Sequence, residues 1–209
     1  MVSFLLIRSG VTGAGSISNM LADEALAGLA RDGDTVTVRD LDMGAVPHLS
    51  SLTVAALLRT VPEEEEALAA RTLSDRLIAE LRDADLLIMS APMYNYGIAS
   101  TLKAWFDHVI RAGETFEYTD AGPRGFLGSK RALICSARGA TYDGELAVLD
   151  CATPHLRALL GVMGIVDVDL IEAAGMRMGP DGRETGLAAA RHSLATALAA
   201  LQPSLGCTP

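Results

Sequence analysis

The chain has 209 residues, half of them hydrophobic, and carries a formal net charge of −9. A nucleic-acid-binding protein needs a basic face, and because no cluster of Lys and Arg supplies one, we expect no nucleic-acid partner. No uncharged apolar run approaches the roughly 18 residues that span a bilayer, so we expect no membrane partner either. The mean hydropathy of +0.29 instead indicates a large core, or a surface buried against another subunit.

Cysteine and histidine usage indicates neither disulfides nor a metal centre. The three cysteines, Cys135, Cys151 and Cys207, are widely spaced and form no CxxC pair, and the four histidines are scattered. The N-terminal stretch "MVSFLLIRSG" lacks the basic segment and the small-residue cleavage site of a signal peptide. We therefore expect reduced thiols, no set of metal ligands and a cytoplasmic protein.

The first half of the chain predicts alternating strands and helices. A first strand is predicted over 2–8, a helix over 17–31 that Gly33 ends, and a less buried strand over 35–41. Residues 42–60 indicate a loop that contains Pro47. A helix follows over 62–85, and the glutamates at 63–66 suit the positive end of its dipole better than they suit a partner site.

The second half continues the alternation. The continuous apolar run "LLIMS" (86–90) is typical of the centre of a parallel sheet, and "RALICS" (131–136) predicts another central strand. Helices are predicted over 100–113 and over 146–161, with Pro154 near the first turns of the second one. "VDVDLI" (166–171) alternates as an edge strand does, and a last helix runs from about Glu184 to Leu201, where Pro203 ends it.

This order of elements predicts an α/β fold. Strands separated by helices form a doubly wound parallel sheet with helices on both faces. Five strands favour the flavodoxin-like order over the six-stranded dinucleotide-binding order. We see no linker and no repeat, so we predict one domain over residues 1–209. Ligands of such folds bind beyond the carboxyl ends of the strands, which directs attention to the loops after strands one, three and four.

The loop after the first strand, "RSGVTGAGSISN", combines three glycines with Ser16 and Ser18 at a helix start. Free N–H groups and the helix dipole make such a start an anion site. The loop lacks the Lys of a phosphate-binding P-loop, and Ser18 stands where the third glycine of the dinucleotide fingerprint belongs. A terminal phosphate, such as that of FMN, fits this loop. The alternative is that Ser16 only caps the helix.

The loops after the third and fourth strands offer features that a planar ring requires. "SAPMYNY" places Tyr94 and Tyr96 where a buried strand ends, and their rings could stack on a flavin or could merely pack under the loop. "SARGAT" brings Ser136 and the backbone through Gly139 towards another edge of the ligand. Arg138 could place positive charge there, or it could be a solvated side chain on a tight turn.

The chain resembles the FMN-dependent NADH azoreductases and NAD(P)H quinone oxidoreductases of bacteria over nearly its whole length. The resemblance rests on "GSISN", on "APMYNYGIASTLKAWFDHVIRAGETFEYTDAGPRGFLGSKRA", on "CSARG" and on "TPHLRALLGVMGI". It implies a flavodoxin-like homodimer with one bound FMN per subunit near the interface, NADH or NADPH as hydride donor, and a small quinone or azo compound as substrate.

The resemblance also implies roles for individual residues. Tyr118 leans towards the neighbouring subunit's site, and Val162 stands where relatives can carry an aromatic residue over the partner's flavin. No catalytic side chain is implied. The implied cofactor-binding residues are Ser9, Gly10, Ser16, Ile17, Ser18, Met93, Tyr94, Asn95, Tyr96, Ser136, Ala137, Arg138 and Gly139.

Two departures from the family pattern affect the expected site. Gly10 replaces the second of two serines, which removes one hydroxyl from the phosphate loop. Ser-Ala-Arg-Gly over 136–139 replaces a common Ser-Arg-Gly-Gly pattern. With Val162, these departures bear on the flavin potential and on substrate preference.

The implied mechanism is a ping-pong reaction in which the nicotinamide leaves before a quinone, or an azo compound over two cycles, accepts two electrons. A flavodoxin-type carrier that passes electrons to protein partners is the alternative. A receiver-type module is disfavoured, because the ends of strands one and three carry no acidic residue.

Overall fold

The computed structural model describes residues 1–42, 45–57 and 64–204. Cys207 and Glu63, which the sequence analysis singled out, lie outside these ranges. The described strands are β1 (Ser3–Arg8), β2 (Thr35–Asp40), β3 (Leu86–Ser90), β4 (Met93–Tyr94), β5 (Gly97–Ile98), β6 (Phe116–Thr119), β7 (Gly122–Gly125), β8 (Arg131–Ala137) and β9 (Asp167–Ala173). The described α-helices are α1 (Ile17–Leu29), α2 (Thr53–Ala56), α3 (Glu65–Asp83), α4 (Ser100–Val109), α5 (Ala152–Val162) and α6 (Gly179–Ser204).

The main sheet has five parallel strands in the order β2-β1-β3-β8-β9. This order confirms the predicted flavodoxin-like fold, with β3 at the centre and β9 at an edge. Two antiparallel hairpins, β4–β5 and β6–β7, stand outside the sheet. None of the helices in the described ranges has both the length and the hydrophobicity to cross a bilayer.

Apolar cores on both faces of the sheet explain the continuous apolar strands. Side chains alternate between the faces of a strand. In β1, Leu5 and Ile7 join the core under α3, α4 and α5, whereas Phe4 and Leu6 join the core under α1 and α6. Helices therefore cover both faces, and β1 and β3 need no polar positions in their interiors.

Several element boundaries differ from the prediction. Helix α5 begins at Ala152 rather than at 146, so Pro154 lies in its first turn, where a missing N–H is tolerated. Residues Gly144–Leu149 form a separate 3-10 helix. The last helix extends from Gly179 to Ser204 and contains Pro203 in its final turn, so the predicted stop at Leu201 was wrong.

Helix α4 ends at Val109, before the predicted residue 113, because side-chain chemistry closes it. The hydroxyl of Thr115 donates to the carbonyl of Val109 at 2.7 Å and accepts from the N–H of Arg111 at 3.1 Å. Gly113 has a φ of +84°, which favours glycine and turns the chain towards β6. This turn directs the β6–β7 hairpin away from the sheet.

Candidate functional site

Three of the loops singled out from the sequence leave the same edge of the sheet side by side. Strand β3 pairs with both β1 and β8 in parallel, so the carboxyl ends of these strands are neighbours. The chain continues from β1 to β2 on one side, while β3 lies on the other. The strand order therefore reverses between β1 and β3, which is where ligands of doubly wound folds bind.

The first loop presents a helix start with hydroxyls and unpaired N–H groups. The Ser16 hydroxyl caps α1 by accepting from the N–H of Asn19 at 3.3 Å, and it lies 3.2 Å from the Ser18 hydroxyl. Both serines are buried. Among the described residues, no acceptor is found for the N–H groups of Ile17 and Ser18. The capping role of Ser16 and an anion site are therefore compatible, because the cap leaves these two donors available.

Gly10 is needed where it stands because the first loop passes close to the start of α1. A Cβ at Gly10 would lie 2.0 Å from the Ser16 hydroxyl oxygen and 2.9 Å from Oδ1 of Asn19. Any larger residue must displace Ser16, so the departure from a second serine has a steric basis here.

A buried polar network connects the first loop to the end of β3. The hydroxyl of Ser9 donates to the carbonyl of Ser90 at 2.6 Å, and the N–H of Ser9 donates to the Ser90 hydroxyl at 2.9 Å. Asn19 accepts from the Ser90 hydroxyl at 2.5 Å and from the Gly10 N–H at 3.1 Å, and its amide donates to the Gly10 carbonyl at 3.1 Å. The Ser9 hydroxyl therefore holds the end of β3 in place and offers no free proton to a phosphate. Sequence reasoning assigned no role to Asn19 or Ser90, although Asn19 stands in the "GSISN" motif.

The opening of the third loop is a tight hairpin between β4 and β5. Asn95 and Tyr96 form its two-residue turn with φ values of 48° and 70°. Two positive φ values characterise the type I′ turn that joins short antiparallel strands. Asn tolerates this region, but an aromatic residue rarely adopts it, and such strain persists only where surrounding contacts impose it.

Those contacts connect the hairpin to both neighbouring loops. The phenol oxygen of Tyr94 accepts from the N–H of Val11 at 3.1 Å, in the loop after β1. The carbonyl of Tyr96 accepts from the N–H of Cys151 at 3.1 Å, at the start of α5. The Tyr96 ring also meets Tyr142 edge to face, with 6.0 Å between centroids. The tyrosines thus bring the three predicted loops together. Tyr142, which takes part in these contacts, was not identified from the sequence.

The loop after β8 contains a buried arginine rather than a solvated one. Ser136 and Ala137 still belong to β8, and Arg138 follows them with only 3% of its surface exposed. Its guanidinium pairs with Asp150 at 3.1 Å and with Glu172, and it lies 5.8 Å from the centroid of the Tyr142 ring. Of the two alternatives for Arg138, the solvated side chain on a tight turn is therefore wrong. Two carboxylates offset the charge that the sequence suggested for the ligand edge.

The two carboxylates around Arg138 titrate differently. Burial opposes the charged form of Asp150, but hydrogen bonds from Thr153 and the charge of Arg138 outweigh it, and the pKa of Asp150 lies below 3.8. Burial also opposes the charged form of Glu172, and here it outweighs the attraction of Arg138, so the pKa of Glu172 is raised. Asp150 also accepts from the N–H groups of Ala152 and Thr153, which fixes the start of α5 against the loop.

A fourth loop, after β9, extends the site beyond the prediction. The N–H of Met176 donates to the Arg138 carbonyl at 3.0 Å, and the N–H of Arg177 donates to the Gly139 carbonyl at 2.8 Å. These two bonds use the carbonyls of the loop after β8. The N–H of Gly139 donates to no acceptor within the described part of the chain. The sequence could not predict that these two loops pair, because backbone groups form the hydrogen bonds and no particular side chain is required.

The two residues expected to face a substrate lie apart from these loops. Tyr118 projects from the β6–β7 hairpin with 79% of its surface exposed, and its ring contacts Phe116 at a centroid distance of 5.1 Å. Val162 is half-buried at the last position of α5. No contact found among the described residues joins Tyr118 to the three loops of its own chain.

Comparison with known proteins agrees with this architecture. A family model described as the flavodoxin-like fold matches residues 3–198. The FMN-dependent NADH:quinone oxidoreductase of Azotobacter vinelandii is 46% identical over 198 residues, which cover 93% of this chain and 98% of that protein. FMN-dependent NADH:quinone oxidoreductase 3 of Pseudomonas aeruginosa is 45% identical over 203 residues, covering 95% of this chain and 93% of that protein.

A solved structure extends the likeness to three dimensions. The azoreductase from Bacillus anthracis superposes with a TM-score of 0.86 at 25% identity, covering 95% of this chain and 99% of that one. The sequence identities of 45–46% over nearly the full length, together with the predicted motifs, indicate a shared family and not only a shared fold. The chain belongs to the flavodoxin-like family that includes the FMN-dependent NADH:quinone oxidoreductases and the azoreductases.

Proposed function

We propose that residues 1–209 form a single FMN-binding domain and that the protein is an FMN-dependent NADH:quinone oxidoreductase that also reduces azo compounds. The observation that carries this proposal is the convergence of three loops through Tyr94 and Tyr96. The N–H of Val11 reaches the Tyr94 phenol, and the N–H of Cys151 reaches the Tyr96 carbonyl, so both neighbouring loops contact one hairpin.

The donor set of the first loop suits a phosphate. The N–H groups of Ile17 and Ser18, which have no acceptor in the described part of the chain, stand at the positive end of α1, and the hydroxyls of Ser16 and Ser18 lie beside them. No cationic side chain belongs to residues 9–19, so hydrogen-bond donors and the helix dipole would hold the phosphate. Ser9 and Gly10 would support this pocket by holding the loop close to Ser16.

The other two loops suit the flavin ring. The hairpin offers the rings of Tyr94 and Tyr96 as apolar surfaces with polar tips. The loop after β8 offers the N–H of Gly139, which has no acceptor among the described residues, for a carbonyl of the ring. The residues proposed to line the ring are Met93, Tyr94, Asn95, Tyr96, Ser136, Ala137, Arg138 and Gly139.

The protein's part in the reaction is to position and to enclose. Bound FMN would supply the acceptance and release of a hydride equivalent that NADH oxidation and quinone or azo reduction require. Tyr96 is held in its strained conformation by Tyr142 and by the start of α5, which fixes the surface on which a flat ligand stacks. Donor and acceptor would occupy this same cleft in turn, in a ping-pong order.

We further propose a homodimer in which a second copy completes the substrate pocket. Tyr118 is 79% exposed on its hairpin, and a hydrophobic side chain on a projecting hairpin is well placed to contact another chain. The 3-10 helix Gly144–Leu149 has no buried residue, and its Val148 is also 79% exposed. In the assembly, Tyr118 and Val162 would line the partner's site.

The compartment we propose is the cytoplasm. NADH is available there, and the two described cysteines, Cys135 and Cys151, are free thiols.

Two measurements test the proposed function. Purified protein should show flavin absorption that NADH bleaches and a quinone restores, and it should oxidise NADH continuously with a soluble quinone. A flavodoxin-type carrier would show the flavin bands but would barely support the steady-state reaction. Colourless protein that takes up no added FMN would contradict the proposal.

Substitution of Ser16 separates the phosphate site from the helix cap. Aspartate is a good N-cap residue, so Ser16→Asp keeps α1 capped, but its carboxylate repels a phosphate. We expect Ser16→Asp to remain folded, with some loss of stability because the position is buried, and to bind FMN at least about tenfold more weakly. Ser193→Ala, a change at an exposed position on α6, is the control. If Ser16→Asp binds FMN normally, the first loop does not hold the phosphate.

A further inference from the structure

The loop after β9 places one exposed cation beside the predicted flavin edge. Arg177 comes directly after Gly175 and Met176 in this loop, and its N–H donates to the Gly139 carbonyl at 2.8 Å. Its Cβ, Cγ and Cδ atoms would lie 3.4–3.7 Å from a Cβ built on Gly139, so the stem of the side chain packs over that glycine. The same two segments meet again where the Thr141 hydroxyl contacts the sulfur of Met178 at 4.0 Å.

The guanidinium of Arg177 is exposed and has no carboxylate partner among the described residues. Three other cations near this end of the sheet are paired with carboxylates, whereas Arg183, in the second turn of α6, is exposed like Arg177. Arg8 pairs with Asp23, Lys103 pairs with Asp107, and Arg138 is buried between two carboxylates.

The charge balance makes a cation beside the cleft important. The chain carries a net charge of −9, and Arg138 with Asp150 and Glu172 contributes one positive and two negative formal charges to the cleft. Such a surface repels anionic ligands. The ligands of the proposed reaction include a dinucleotide with a diphosphate and, among azo and quinone compounds, molecules that carry sulfonate groups. A local positive charge would therefore favour the binding of a second anionic ligand beside the cofactor.

We propose that Arg177 is a specificity-determining residue that binds a phosphate or sulfonate group on the ligand that occupies the cleft. The inference rests on the proposed function, because it takes Gly139 as part of the flavin site. The stem lies on Gly139, and the flexible remainder of the side chain reaches outwards to the charged group of the ligand. Arg177 favours the anionic member of a pair of otherwise similar substrates.

The test compares charged and uncharged substrates on the FMN-loaded protein. The acceptor pair is 1,4-naphthoquinone-2-sulfonate and 1,4-naphthoquinone, and the donor pair is NADH and the uncharged 1-benzyl-1,4-dihydronicotinamide. For each pair, kcat/KM for the charged member is divided by kcat/KM for the uncharged one. We expect Arg177→Ala to lower at least one ratio about threefold to fivefold, in line with the modest strength of exposed ion pairs.

Control variants separate a local contact from the total charge. Arg177→Lys keeps the charge and should restore most of the ratio, whereas Arg177→Glu should lower it further. Arg76→Ala removes the same charge from an exposed position on α3, a helix that packs against α2 and α4, and should leave both ratios unchanged. Added salt should lower the wild-type ratio and have less effect on Arg177→Ala.

The ratio that falls in Arg177→Ala identifies the group that Arg177 binds. A fall in the acceptor ratio identifies a sulfonate as the bound group, and a fall in the donor ratio identifies the diphosphate of NADH. If the enzyme is active but Arg177→Ala and Arg76→Ala have equal ratios, the role of Arg177 is refuted and the proposed function is not. Wild-type protein that turns over no quinone at all refutes the proposed function and this inference with it.

Discussion

Replacement of Asn19 by alanine removes the side chain that joins the first loop, α1 and the end of β3. Three side-chain hydrogen bonds disappear, one with the Ser90 hydroxyl at 2.5 Å and two with the backbone of Gly10 at 3.1 Å each. Gly10 is buried, so its N–H and carbonyl lose partners that water replaces poorly. At about 1 kcal/mol for each bond, the free energy of unfolding should fall by about 2–3 kcal/mol.

Asn19→Ala should also affect the folded protein's affinity for FMN. The freed loop no longer holds Gly10 against Ser16, so the donors at the start of α1 lose their fixed arrangement. We expect the Kd for FMN, measured by quenching of flavin fluorescence, to rise at least about tenfold, which corresponds to about 1.4 kcal/mol. Urea unfolding of the apoprotein measures the stability separately.

A double-mutant cycle with Ser90→Ala tests whether the network acts as a unit. Asn19 and Ser90 share one hydrogen bond, so their effects on unfolding should be non-additive by about 1 kcal/mol. The reasoning is refuted if Asn19→Ala changes the unfolding free energy by less than about 0.5 kcal/mol and leaves the Kd for FMN unchanged.

Three further predictions concern other parts of the molecule. Gly10→Ala should weaken FMN binding about tenfold in the same titration, since its Cβ would lie 2.0 Å from the hydroxyl oxygen of the N-cap serine, whereas Gly15→Ala, whose Cβ meets nothing within 4 Å, should have little effect. Iodoacetamide at pH 8 should label the exposed Cys151 and spare Cys135, because burial raises the pKa of the Cys135 thiol to about 12; equal labelling in peptide mass spectra would contradict this. The lowered pKa of Asp150 means that its ionised form stabilises the fold at pH values above its ordinary pKa of 3.8, and that this contribution is lost as the pH falls through the lower folded value. The stability difference between wild type and Asp150→Asn should therefore be largest at pH 7 and should decrease as the pH falls below 3.8, and a difference that is constant with pH would argue against it.

Local sequence patterns were enough to predict the sheet, because its central strands consist almost entirely of apolar residues. The run Leu86–Ser90 is buried at every position, and an uninterrupted apolar run of this length fits the centre of a parallel sheet. Alternation with helices then left the flavodoxin-like order as the simplest arrangement of five strands. The hairpins were missed because β4 and β5 have two residues each and because "GPRG" in β7 has no apolar alternation.

The loops predicted to form the site contact one another in the structure, and the sequence missed several of the residues that connect them. Loops with glycines, hydroxyls and aromatics at strand ends could be recognised locally, and the contacts of Tyr94 and Tyr96 place those loops together. The burial of Arg138 could not be recognised, because its partners Asp150 and Glu172 come from α5's start and from β9. Long-range pairing of this kind leaves no mark on the neighbouring sequence. The same holds for Asn19, whose partner Ser90 lies 71 residues away.

A crystal structure of the protein grown with FMN tests the central claim most directly. We predict electron density for one FMN at the carboxyl edge of β1, β3 and β8, with the phosphate on the N–H groups of Ile17 and Ser18 and the ring against the Tyr94–Tyr96 turn. Density for FMN elsewhere, or none at saturating FMN, would contradict the account.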